Sequence, residues 1–157
     1  MTASSLTDLK KELKMLEKSE IVEMCMRLAK HKKDNKELLH YLLFEAQNLS
    51  TYIERVTAEI DEQFSTLNRS NLYLANKGLR KMLRKINSNI KYSASKQCEV
   101  ELLLHFCKKM KTSGLKIHQS ASISNLYFAQ LKKVEKAMAK LHEDLQFDYR
   151  QTLESLM

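Results

Sequence analysis

Apolar residues recur along this chain at intervals of three, four and seven, the spacing of helices that each bury one stripe. Ile53, Val56, Ile60 and Leu67 trace one seam; Leu79, Leu83, Ile86 and Ile90 a second; Val134, Met138, Leu141, Leu145, Tyr149 and Leu156 a third. The stretch EVELLLHFCKKM departs from this pattern. Leu102, Leu103, Leu104, Phe106, Cys107 and Met110 cover most of its circumference, which predicts a central, buried helix.

Helix starts are read from polar residues ahead of these stripes. Asp34 with Glu37, and Thr51 with Glu54, have the spacing of a capping box, and Ser19 before EIVEMCMRLAK has the form of a plain N-cap. The pattern predicts about seven helices, near 7–18, 20–32, 35–48, 51–67, 71–92, 96–112 and 122–155. Only the link from Thr112 to Ala121 is long, and Gly114 within it can take the left-handed conformation that ends a helix. The expected fold is a single all-α domain over 1–157. Short links favour antiparallel helical hairpins, in an irregular bundle or a short superhelical stack.

A phrase occurs twice: SNLYLA from Ser70 and SNLYFA from Ser124. Both read as helix starts with serine as N-cap, and Ile123 and Phe128 fit the outer positions of a hydrophobic staple on the second. Duplicated hairpins, 51–92 and 96–150, are the bolder reading. The apolar seams then align at a shift of 55 residues but the phrase at 54, which would turn the stripe by about 100° relative to the helix start. Two independent helix starts are the favoured reading.

Composition agrees with helices throughout. The 157 residues include no proline and two glycines, leaving β-hairpins without turn residues. A chain of this length can bury about 70% of its unfolded surface, so a core needs neither metal nor disulfide. The start, MTASSLTDLKKELK, lacks the apolar region of a secretory signal, and LLHYLLF is too short to span a bilayer. Cys98 and Cys107 would lie about 13 Å apart along one helix, too far for a disulfide. The expectation is a cytoplasmic protein with reduced thiols, monomeric or dimeric.

Charge changes the picture more. Between Glu62 and Glu99 there is no acidic residue, while Arg69, Lys77, Arg80, Lys81, Arg84, Lys85, Lys91 and Lys96 fall in 63–98 and account for the whole net charge of +8. Lys77, Lys81, Arg84 and Lys91 share one helical face. The anion-binding candidates are therefore Lys77, Arg80, Lys81, Arg84, Lys85 and Lys91, with nucleic-acid phosphate, an anionic membrane surface or an acidic protein as ligand. The alternative is a solvated face, or one neutralised by Glu54, Glu59, Asp61 and Glu62 on the preceding helix. Nothing resembles a helix-turn-helix or an RNP signature, so sequence-specific recognition has no support.

Metal and catalytic chemistry find little here. Glu37 and His40 have the Glu-x-x-His spacing of di-iron bundles, which need two such pairs, and only one occurs. His105 with Glu101, and His142 with Glu143 and Asp144, form no complete ligand set, and the three cysteines have no CxxC partner. The serines near His118 lack a nucleophile elbow. No catalytic residue, metal or cofactor is expected. Tyr41, Phe44 and Tyr52 read as closing a hairpin core, and Met24, Met26, Met82, Met110 and Met138 as core fillers.

The stretches LKKELKMLEKSEIVEMCMRLAKHKKDNKELLHYLLFEA, SNLYLANKGLRKMLRKINSNIKYS and VELLLHFCKKM together resemble small uncharacterised all-helical bacterial proteins of the Bacteroidetes type. The likeness covers most of the chain, and its motifs are of low specificity. It implies no activity, cofactor or functional residue. The expected function is a non-catalytic protein-interaction module. Sequence-nonspecific anion or nucleic-acid binding through the basic helix is the alternative, and a metal-dependent enzyme a distant third.

Overall fold

The computed structural model describes residues 2–157, and among them it is all helical. There are eight α-helices: α1 (Leu6–Lys14), α2 (Lys18–His31), α3 (Lys33–His40), α4 (Leu49–Ser65), α5 (Leu72–Ser93), α6 (Lys96–Thr112), α7 (Ala121–Met138) and α8 (Glu143–Leu156). A π turn, Tyr41–Glu45, follows α3, and a 3₁₀ turn, Ile117–Gln119, precedes α7. The chain forms two compact units, one up to Phe44 and one from Glu45 onward.

In the larger unit α6 is the hub, packed by α4, α5, α7 and α8. Its all-round apolar surface is the reason: Leu102, Leu103, Leu104, Phe106, Cys107 and Met110 are all buried, together with Cys98 and Val100. Phe64 of α4 meets Phe106 with ring centroids 5.7 Å apart. Tyr52 is buried against α5, where its hydroxyl donates to Asn89 Oδ1 at 3.1 Å. Leu67, just past α4, uses the bare Cα of Gly78, since a Cβ there would lie 2.8 Å from Leu67 Cδ1. Gly114 has φ +81° in the one long link, as its place after α6 requires.

The smaller unit is different in kind. α2 packs on α3, yet none of α1, α2 and α3 buries a single side chain. Tyr41, in the π turn, is its buried aromatic, whereas Phe44 is exposed. Met24 and Met26 are exposed too, so neither fills a core, whereas Met82, Met110 and Met138 do.

Several helix ends differ from those expected, most because a nearer polar group completes the cap. Glu17, not Ser19, starts α2 through a reciprocal box with Glu20. Asn48, not Thr51, caps α4 by accepting from Thr51 N at 3.1 Å. α3 starts at Lys32 with no side-chain cap, so Asp34 and Glu37 form no box. Asn71 caps α5, one residue after Ser70. The second SNLY phrase lies inside α7, whose cap is Ser120, so Ser124 starts nothing; Phe128 is exposed while Ile123 is buried, and no staple forms. The expected helix 122–155 is broken. As one rod it would run about 50 Å. Instead Leu141 N bonds Met138 O at 2.9 Å, His142 caps α8 by accepting from Asp144 N, and both halves reach α6.

Candidate functional site

α5 carries the basic face. Its buried stripe is Ala75, Leu79, Met82, Leu83, Ile86, Asn89 and Tyr92, and the remaining positions turn outward. Lys77, Arg80, Lys81, Arg84, Lys85 and Lys91 are all exposed. The other two basic residues of the segment are occupied elsewhere. Arg69 donates to Phe64 O at 2.7 Å, closing the end of α4, and Lys96 pairs with Glu99 at 3.0 Å.

The acidic run of α4 does not neutralise this face. Asp61 takes His105 Nε2 at 2.6 Å and Lys109 Nζ at 3.6 Å, and Glu59 pairs with Arg55, which also meets Glu45 at 2.8 Å. Among the described residues, none of Lys77, Lys81, Arg84 and Lys91 pairs with a carboxylate. Arg80 is held instead by a neutral partner. Its Nη2 donates to Ser122 Oγ at 3.1 Å, and Asn76 Nδ2 donates to the same oxygen at 3.0 Å.

Those bonds tie α5 to the first turn of α7, and beyond them the two helices border a surface groove of about 470 Å³. Arg80, Arg84 and Asn87 form one wall and Asn125 and Ala129 the other, with Leu83, Leu126 and Gln130 buried beneath. Gln130 is 6% exposed. Its Nε2 donates to Leu126 O at 3.2 Å, which fixes the orientation of the amide, and its Oε1 has no hydrogen-bond partner among the described residues. An unpaired buried acceptor costs on the order of 1–3 kcal/mol. The charge run pointed to Arg80 and Arg84 but not to Asn87, Asn125 or Gln130. The signal for Gln130 was available: it is a polar residue on the apolar register Ile123, Leu126, Val134.

The other candidate groups are dispersed. Glu37 pairs with Lys33 at 3.8 Å, and the His40 ring tilts against Phe44 at 5.0 Å. His105 turns to Asp61 rather than Glu101, while Glu101 faces Tyr149, whose hydroxyl is pushed up to about 12 by burial first and by that carboxylate second. No three His, Cys, Asp or Glu side chains among the described residues gather as metal ligands. All three cysteines are free, and burial pushes the Cys107 thiol up to about 12 and Cys98 upward, so neither is a ready nucleophile. No helix among the described residues is long and apolar enough to cross a membrane. Compared with known proteins, the chain matches no family model, no curated protein and no solved structure.

Proposed function

We propose that the chain is a non-catalytic protein-interaction module that engages its partner through α1–α3. One observation carries this reading: three helices with apolar stripes bury no side chain of their own, leaving Leu6 84% and Leu28 61% exposed. Exposed apolar surface of this extent marks an interaction site. Between α2 and α3, Cys25, Leu28, Ala29, Leu38, Leu39 and Leu42 line an apolar pocket of about 200 Å³, room for an anchoring side chain of a partner. Free thiols fit a cytoplasmic setting, and the larger unit, with its own core, serves as the scaffold.

The test is affinity capture with the intact chain beside the double variant Leu28→Asp, Leu42→Asp. Both side chains are exposed, so stability should change little while partners are lost. A set of bound proteins identical for the two chains refutes the reading. Sedimentation across a range of concentrations shows whether the partner is a second copy.

A second reading is favoured by Lys77, Lys81, Arg84 and Lys91 of α5, none of which pairs with a carboxylate among the described residues: sequence-nonspecific binding of a polyanion through its phosphates. Affinity should then fall linearly on a log–log plot against salt, with a slope of about −0.7 per neutralised phosphate of a single strand. Charge reversal at Lys77, Lys81, Arg84 and Lys91 should abolish binding at unchanged helicity.

A further inference from the structure

We propose that the partner of α1–α3 is a second copy of this chain, whose α8 places Phe147 in the apolar pocket between α2 and α3. The inference deepens the interaction-module reading and rests on it.

The pocket has a cationic border. Leu28, Leu38 and Leu42 are exposed at it, and the chain around the α2–α3 link is basic. Arg27, Lys30, Lys32, Lys33 and Lys36 fall there against a single carboxylate, Asp34. Lys33 pairs with Glu37, but Arg27, Lys30, Lys32 and Lys36 are exposed and pair with no carboxylate among the described residues. Lys36 stands one turn before the lining residue Leu39, and Lys32 lies in the link itself. An apolar cavity bordered in this way selects an apolar anchor flanked by carboxylates.

The outer face of α8 has that form. This helix packs on α6 and α7, with Leu153 and Leu156 buried, and it leaves Phe147 79% exposed. Of the exposed phenylalanines, Phe44 leans on the His40 ring and Phe128 on Tyr127, whereas Phe147 has no ring contact among the described residues. Helical spacing surrounds it with acid: Glu143 and Asp144 one turn before, Asp148 beside it and Glu154 two turns after, with Arg150 the one cation of the helix. Glu143, Asp148 and Glu154 pair with no cation among the described residues.

Charge complementarity therefore decides the occupant. A nucleic acid would meet the lysines of the pocket border but leave the acidic ring of Phe147 without a counterpart; a second copy satisfies both. The net charge of +8 opposes self-association at long range, yet salt screens it beyond about 8 Å under physiological conditions, so the local pairs prevail. An aromatic side chain seated in a pocket and ringed by charge is the usual form of an interface anchor.

The test is sedimentation of the intact chain from about 1 to 100 μM in about 150 mM salt, where reversible association is expected. A limiting dimer shows reciprocal docking and an open series of oligomers shows head-to-tail docking; either supports the contact. Phe147→Ala should weaken association by at least about tenfold, and so should Leu28→Asp with Leu42→Asp. All three positions are exposed, so helicity should hold. Mixing these two variants restores one intact pocket and one intact anchor, and association should return. Lys32→Glu with Lys36→Glu should also weaken self-association, and mixing that variant with Glu143→Lys, Asp148→Lys should recover it. Maleimide labelling of Cys25, which lines the pocket, should slow as the chain associates.

A chain that stays monomeric throughout overturns self-docking while leaving the interaction-module reading to the capture experiment, whose partners are then other proteins. Association undiminished by Phe147→Ala, or a mixture of the anchor and pocket variants that stays monomeric, also overturns it.

Discussion

α2 and α6 are built from similar material. The first places Ile21, Val22, Met24, Cys25, Met26 and Leu28 within one helix, the second Val100, Leu102, Leu103, Leu104, Phe106, Cys107 and Met110. Yet α2 buries none of its side chains and α6 buries eight. What separates them is neighbours: α6 is packed by four helices, while α2 has α3 against it. Apolar content is a property of a segment, but burial is a property of the surroundings, and a helix rich in leucine and methionine without enough neighbours leaves its apolar side chains outside any core.

The sharpest way to break this contrast is truncation. Phe106→Ala in α6 should destabilise by about 3–5 kcal/mol, since Phe106 is fully buried and touches Phe64. Leu28→Ala in α2 should change stability by less than about 0.5 kcal/mol. Urea unfolding midpoints measure both, and comparable losses would show that α2 is as structural as α6.

Cys107→Ser is expected to cost about 1–3 kcal/mol, because the sulfur already lies 4.0 Å from Tyr127 O and a serine oxygen, on a shorter bond, would be left short of that acceptor. The same burial predicts a pH effect. The folded chain holds the Cys107 proton up to about 12, whereas an exposed thiol releases its own near 9. Between those values the unfolded state binds fewer protons, so stability is fully present below pH 9 and declines as pH rises toward 12. Denaturation across that range checks it, with Cys107→Ala expected to show a shallower decline, since Cys98 and Tyr149 are raised as well and keep their own contribution.

Thiol labelling extends the comparison to reactivity. At neutral pH Cys25, partly exposed in α2, should react with a maleimide in the native protein, and Cys98 and Cys107 only after denaturant is added. Peptide mapping of the modified chain reads this directly.

The smallest expected effect lies in the turn after α5. Ala94 has φ +48°, a left-handed conformation that burdens a residue with a Cβ. Ala94→Gly should raise stability by about 0.5–1 kcal/mol. Since Ala94 is exposed, nothing is lost from packing.

The readable part of this fold was the part governed by period. The seams Ile53, Val56, Ile60 and Leu79, Leu83, Ile86 face inward, and α6 spans Lys96–Thr112 with the all-round burial its pattern implied. Caps were less legible because several polar residues compete within a few positions, and geometry selects among them: Asn48 over Thr51, Asn71 over Ser70, Ser120 over Ser124. The break after Met138 carried no glycine or proline to announce it, and follows from two helices needing the same hub. Of the candidate site, the charge was legible and the groove was not. Arg80, Arg84 and Lys77 declare themselves by sign, but that Asn87 and Gln130 border one groove depends on how α5 and α7 flank α6.

The hub position of α6 also sets an order of events in time. α4 and α5 are synthesised before the helix that covers them, so until Thr112 is made they can close only on each other and the parts of their stripes that meet α6 stay open. Because α6 joins α4, α5, α7 and α8, no local opening can expose it without releasing several helices at once. Its amides should be the last in the molecule to exchange with deuterium, at the free energy of global unfolding, long after those of α1 and α2 have exchanged.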